Sequence, residues 1–247
     1  MNLLLVEPAE LAGDGAFAID GERARHVRDV LGARAGSIVR AGVIGGGVGA
    51  AEVIGDDGAR IALRLTLTGE PPPQLPVELV LAVPRPKAVT RVIEACAAFA
   101  VRRVDLTNAW RVDKSYFDSP RLAPEALAHA ARLGAAQGAT THLPELHVHA
   151  RLMALLDERF AVPGDAQRLV AHPGARPIED AVTVWGPAIV AIGPEGGWIE
   201  RELDTFVARG FQPVSLAATI LRVETAVAAV LGQLALLHRA LRYRASR

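Results

Sequence analysis

The stretch Gly193-Pro194-Glu195-Gly196-Gly197 stops an apolar run, Ala188-Ile189-Val190-Ala191-Ile192, and a helix-like pattern starts at Ile199. An apolar run of this length reads as a buried strand, and glycines reach backbone geometries that side chains resist. A strand feeding a glycine loop that opens a helix turns backbone N–H groups toward whatever rests on the loop. The chemistry open to such a loop is ligand binding, of an anion in the simplest case. A tight strand-to-helix turn without a ligand fits this stretch equally well. Two further apolar runs end unusually, at Ala171-His172-Pro173-Gly174 and at Leu216-Ala217-Ala218-Thr219-Ile220-Leu221-Arg222. Ligands of parallel sheets sit at the carboxyl ends of the strands, so these three ends, if they converge, make one cofactor pocket lined by backbone groups.

Other chemistries find no support. The chain has no Gly-x-x-x-x-Gly-Lys-Ser/Thr loop, no Gly-x-Gly-x-x-Gly after a first strand, and no serine in a Gly-x-Ser-x-Gly elbow. His142, His147 and His149 cluster, but no cysteine joins them and no His-Glu-x-x-His helix appears, so no metal is expected. The single cysteine, Cys96, lies in an apolar stretch and reads as a small buried hydrophobe. A lone cysteine forms no internal disulfide, which favours a reducing compartment. The N-terminus lacks the basic start of a signal peptide, and no run approaches the roughly 20 apolar residues that span a bilayer. A cytoplasmic protein with no membrane partner is the expectation. The 27 basic and 27 acidic residues cancel, so a nucleic-acid surface would need its arginines concentrated locally.

The elements that must position the glycine loop follow from periodicity. Up to about Thr68 the chain is β-rich, with alternation at Ser37–Ala41 and Ala59–Leu67 and turns at Gly45-Gly46-Gly47 and Asp56-Asp57-Gly58. This pattern suggests a small barrel or sandwich. Gly21–Leu31 reads as one short helix, with Arg25 and Arg28 a turn apart beside His26. That places a basic surface or merely a solvated face there. Pro71-Pro72-Pro73 and Pro76 can continue neither a helix nor a central strand. The domain boundary is therefore placed in a linker at 71–76, between domains 1–70 and 77–247. Beyond it strands are expected at Val77–Val83, Arg103–Leu106, Leu169–Ala171, Ala188–Ile192 and Pro213–Leu216. Helices are expected at Val89–Phe99, Pro124–Leu133, Leu152–Phe160, Ile199–Arg209 and Val223–Leu241. Alternating strands and helices mean an α/β domain with a mainly parallel sheet.

Three blocks carry a family resemblance: Ile192-Gly193-Pro194-Glu195-Gly196-Gly197, then Gly210-Phe211-Gln212-Pro213-Val214-Ser215-Leu216, then Ile220-Leu221-Arg222-Val223-Glu224-Thr225-Ala226. In order and spacing they resemble the RsmE-type methyltransferases of the SPOUT superfamily, which act on uridine N3 in small-subunit (16S) ribosomal RNA. Looser similarity extends over Val83-Pro84-Arg85-Pro86-Lys87, Lys114, Gln137, the turn Leu143-Pro144-Glu145-Leu146, and His26–Leu31. The resemblance implies a PUA-like β-barrel for RNA contact over 1–70, and a SPOUT α/β domain with a deep trefoil knot over 77–247. It also implies a homodimer and S-adenosylmethionine as cofactor. The cofactor would be held by Ala171, Ile192, Gly193, Pro194, Glu195, Gly196, Gly197, Leu216, Ile220, Leu221 and Thr225. Arg222 and Glu224 become the catalytic candidates. Arg222 would stabilise charge on the uracil or hold RNA, and Glu224 would fix Arg222, cap the last helix or assist proton removal. Arg25, Arg28, Lys87, Arg91, Lys114 and Gln137 are the candidate RNA contacts; the charged tail Arg239, Arg242, Arg244 and Arg247 carries less weight.

Several positions depart from the family's polar pattern. Gly32, Thr140 and Thr219 stand where arginine is common, Ala136 replaces a glutamate, Val223 a threonine, and Asn108-Ala109-Trp110 a Ser-Glu-Arg-like segment, with Arg111 next. Each loss weakens the expected grip on RNA while the cofactor loops are kept. Three activities fit: the rRNA uridine-N3 methyltransferase, a SPOUT enzyme with another RNA target, and a non-catalytic RNA- or ligand-binding relative.

Overall fold

A computed structural model describes residues 2–245. The first sheet takes β1 (Leu4–Val6), β2 (Ala16–Ile19), β3 (Ile38–Val43), β4 (Val48–Asp56) and β5 (Ile61–Gly69) in the order β1-β3-β4-β5-β2. All its pairings are antiparallel except β1 with β3. Helix α1 (Gly21–Arg25) runs on into a π-helical turn at His26–Val30, closed by the Leu31 N–H on the His26 carbonyl. The single helix expected there is thus a short α turn followed by a wider one.

The second sheet is wholly parallel and six-stranded, in the order β11-β9-β10-β6-β7-β8. Its elements are β6 (Leu75–Ala82), α2 (Pro86–Ala98), β7 (Val101–Thr107), α3 (Pro124–Gly138), β8 (Glu145–His149), α4 (Leu152–Phe160), β9 (Gln167–Pro177), α5 (Ile178–Ala181), β10 (Ala188–Ile192), α6 (Glu200–Ala208), β11 (Gln212–Ser215) and α7 (Val223–Ala245). The helices form for local reasons. Pro86 opens α2, and Val89, Val92, Ile93, Cys96 and Ala97 repeat at helical spacing and are buried. Gly210, at φ +80, stops α6 in the left-handed conformation that its position after the helix requires. All of β10 is buried, as a central parallel strand with both faces covered must be.

Three expectations need correction. Strand β6 begins at Leu75, so part of the proline-rich segment is strand: Leu75 pairs with Val101. Glu145 and Leu146 start β8 and do not form a turn; the edge strand puts His147 and His149 on one face, which explains their clustering. Strand β9 does not stop at Ala171 but resumes after a bulge. Against β11, Val170 pairs with Pro213, and the next pair is Arg176 with Val214, so the segment between them bulges from the sheet.

Two hydrophobic cores result. One fills the first sheet around Phe17, Ile19, Val53 and Leu63, and the larger fills both faces of the parallel sheet. Strand β1 serves both, because its alternating side chains send Leu4 and Val6 into the first and, with Leu3, Leu5 into the second. No helix is long and apolar enough to cross a membrane among the described residues.

Candidate functional site

The C-terminal ends of β9, β10 and β11 open on one cleft of about 390 Å³. Its walls are the β9 bulge at Ala171, His172 and Pro173, the glycine loop from Ile192 to Trp198, and the segment after β11 at Leu216, Ala217 and Thr219 to Leu221. Val223 and Ala226 of α7 close the base. The sequence-derived cofactor residues Ala171, Ile192, Gly193, Pro194, Glu195, Gly196, Gly197, Leu216, Ile220 and Leu221 therefore share one cavity. Thr225 does not join them: it lies exposed on the first turn of α7, turned away by the helical step between the two lining residues Val223 and Ala226.

The glycine loop is braced from outside. Glu195 accepts a hydrogen bond from the Arg85 N–H at 3.1 Å, with the Arg85 guanidinium 3.7 Å away. Arg111 donates to the Gly196 carbonyl and lines the cleft. The Gly197 N–H bonds the Pro194 carbonyl at 2.8 Å, and Gly197 itself sits at φ +72, a conformation other residues adopt at a cost. Gly193 leaves little room, since a Cβ there would stand 3.2 Å from the Trp198 N and 3.3 Å from its indole. Trp198 is 6 % exposed and packs on Phe206, and its indole N–H has no hydrogen-bond partner although it is buried at the cleft wall. A buried donor left unpaired costs free energy unless a ligand accepts from it.

Arg222 and Glu224 do not line the cleft. Arg222 is exposed, and its carbonyl caps α7 through the Ala226 N–H at 2.8 Å. It nevertheless stands between the lining residues Leu221 and Val223, so its side chain starts from the rim. Glu224 is half-buried in the first turn of α7, where a carboxylate suits the helix dipole.

The expected RNA contacts are dispersed. Lys87 and Lys114 are exposed beyond the C-terminal ends of β6 and β7. Arg91 and Gln137 line a different cavity of about 870 Å³, between the first sheet and helices α2 and α3. That larger cavity also takes Glu7, Glu10, Asp20, Glu22 and Glu94, and its Arg23 and Arg132 are committed to Glu10 and Glu7 at 2.5 Å. Size alone does not make it a site: it lies away from the three converging strand ends, and two of its arginines are already paired with its carboxylates. Arg25 is exposed, whereas Arg28 is held by both carboxylate oxygens of Asp56 at 2.6 and 2.7 Å, which lowers the Asp56 pKa to about 2. Of the basic tail, Arg247 lies outside the described residues. Arg111, the bracing residue, was noted only as the neighbour of a replaced segment; no pattern within 108–111 points to the cleft.

Of the clustered histidines, His149 has a structural partner, whereas the buried His147 Nε2 makes no hydrogen bond. His149 bonds the fully buried Asp105 at 2.7 Å, and Asp105 also receives Arg103 and Arg159, whose other arm reaches Glu78. Among the described residues no cluster of His, Cys, Asp or Glu could hold a metal ion. Burial pushes the Cys96 thiol up to about 12, so it is a poor nucleophile at neutral pH.

The family profile described as RNA methyltransferase domain matches residues 70–235. A ribosomal RNA small subunit methyltransferase E from Treponema pallidum is 28 % identical over 93 % of this chain and 88 % of its own length. A protein of the same name from Mycobacterium bovis is 29 % identical over 92 % and 89 %. The fold is shared with a Neisseria gonorrhoeae ribosomal RNA small subunit methyltransferase E bound to S-adenosyl methionine. That match has a TM-score of 0.79, 20 % identity, and covers 96 % of this chain and 98 % of that one.

Proposed function

Since the chain belongs to the RNA methyltransferase family, we propose that it transfers the methyl group of S-adenosylmethionine to N3 of a uridine in 16S ribosomal RNA of the small subunit. The observation that carries this reading is the convergence of the β9 bulge, the glycine loop and the segment after β11 on one cleft. The cleft fits the cofactor. Its volume lies in the range of small-molecule sites, its walls are mostly backbone and small side chains, and the unpaired Trp198 indole is a donor in want of an acceptor. The relatives named for small-subunit rRNA, and the neighbour bound to S-adenosyl methionine, support the same substrate and cofactor.

The bound cofactor supplies a methyl group on a sulfonium whose positive charge disappears on transfer. The glycine loop and the segment after β11 would hold it, with Gly193 leaving room for Trp198 to pack against the loop and Gly197 making the turn at φ +72. Uridine N3 is a weak nucleophile while protonated, so its proton must pass to solvent, and the rim must align the base and stabilise the negative charge left on the uracil. Arg222, exposed on the rim between two lining residues, is assigned that electrostatic task, and Glu224 the fixing of the start of α7.

The reading extends to the rest of the molecule. Residues 1–70 act as a PUA-like barrel, 77–247 as a knotted SPOUT domain, and two chains form a homodimer in the cytoplasm. Support for the knot is the placing of β9 between β10 and the edge strand β11, with the loops after all three on one pocket. Calorimetry with S-adenosylmethionine tests the core of the proposal. Saturable binding is expected for the wild type, and Gly193→Val, which fills the space against Trp198, should weaken it at least about tenfold. Absence of binding by the wild type would overturn the proposal.

A further inference from the structure

Trp110 is 78 % exposed, yet its backbone is pinned. Its N–H donates to Glu202 Oε1 at 2.8 Å, and the other oxygen of that buried carboxylate accepts the Ile199 N–H at 3.1 Å. One carboxylate thus ties the segment carrying Trp110 to the end of the glycine loop. The next residue, Arg111, reaches the Gly196 carbonyl and forms part of the cleft wall. The exposed indole therefore has a fixed place beside the mouth of the proposed methyl-donor pocket. An unpaired Trp side chain held in water by a rigid backbone leaves its apolar face for a partner.

The surroundings favour one kind of partner. Lys87, Lys114 and Arg121 are exposed on the segments that follow β6 and β7, beside Arg85, which pairs with Glu195; the exposed Asp113 and Asp118 lie among them. Arg121 is drawn to this rim by its 2.9 Å bond to Thr90 of α2. In a chain of zero net charge, a basic arc beside an exposed indole matches the combination that holds single-stranded nucleic acid: cations for phosphates, an aromatic face for a base.

We propose that Trp110 is a stacking platform for a base of the substrate RNA, next to the nucleotide that receives the methyl group. This rests on the function proposed above and gives the RNA a defined entry along the β6–β7 rim. The test uses the full chain and ribosomal RNA from small subunits lacking the modification, with wild type, Trp110→Ala and Trp110→Phe side by side. Losing a base–aromatic stack should weaken RNA affinity roughly tenfold or more in the alanine variant. The phenylalanine variant should recover most of it, with S-adenosylmethionine affinity and sedimentation unchanged in both. Equal RNA affinity of wild type and Trp110→Ala would overturn the proposal. A change of oligomeric state in Trp110→Ala would also overturn it, by showing that the indole packs against a second copy. Wild-type chain that binds this RNA without methylating it would sink the proposed function and leave the stacking comparison valid. Wild-type chain that does not bind the RNA would overturn both.

Discussion

At the residue scale, the proposed function divides the work between residues that hold the cofactor and residues that act on the RNA. Most of the lining is glycine, proline, alanine and aliphatic side chains, which shape a pocket; of its charged side chains, Arg111 and Glu195 are engaged in bracing the glycine loop. In the proposed function, stabilising charge on the uracil is the task of Arg222 on the rim. Arg222→Ala is expected to lower methyl transfer by about two orders of magnitude, while S-adenosylmethionine affinity by calorimetry stays within about twofold. Equal loss of both would make Arg222 structural. Three of the departures from the family pattern also have local reasons. Gly32 sits at φ +61, where an arginine would be strained, and Ala136 and Thr140 are buried, where a charged side chain would lack water. The glycine loop was legible because it combines an apolar run with residues that no buried strand needs. Trp198 was not, because an unpaired indole is a property of packing and leaves no mark in sequence.

At the element scale, helices α2 and α3 lie unusually close. A Cβ on Gly134 would stand 2.1 Å from the Glu94 carbonyl, and one on Gly138 would stand 2.5 Å from that of Ala98. This packing anchors the C-terminal half of α2, the helix that begins at the rim of the proposed RNA entry. Gly134→Ala should destabilise the protein by about 1–3 kcal/mol in denaturant titration; an unchanged midpoint would show that the helices can separate freely. A second constraint is the Asp105 network between the parallel sheet and α4. Burial pushes the Asp105 pKa up, but hydrogen bonds from Arg103 and His149 and the charge of Arg159 outweigh it, leaving the group below its ordinary value. A carboxylate depressed in the folded state contributes stability above its unfolded pKa and loses it as pH falls through the folded one. Asp105→Asn should therefore cost about 3 kcal/mol at pH 7, with the gap to wild type closing below about pH 4. A gap independent of pH would contradict this. Helical elements were readable from period and caps, as for α2 and α6. Strand β8 was missed because its alternation is written in His147 and His149, polar residues that face a buried aspartate.

At the scale of the whole molecule, two cores are joined by few but buried contacts. Strand β1 gives side chains to both, and the Asn2 and Leu3 N–H groups share the Ala136 carbonyl at 3.1 and 3.0 Å. Thr141, fully buried, donates its hydroxyl to the Gly46 carbonyl at 2.7 Å and accepts the Gly45 N–H on its own carbonyl at 2.9 Å. Thr141→Val keeps the volume but orphans Gly46, so stability should fall by about 1–2 kcal/mol in denaturant titration, with no effect on S-adenosylmethionine binding. A weakened cofactor affinity would show that the joint reaches the cleft. This joint was invisible in sequence, where the first 70 residues read as separate from the rest. Only the unbroken apolar run Leu3-Leu4-Leu5-Val6 hints that one strand faces two cores.

The central claim, that one cleft built from three strand ends serves methyl transfer to ribosomal RNA, meets its most direct test in where the methyl group goes. Labelled S-adenosylmethionine, the full chain and small ribosomal subunits lacking the modification should yield one labelled nucleoside by mass spectrometry, N3-methyluridine in 16S rRNA. Label at any other position, or none on the RNA while the cofactor binds, would contradict the account.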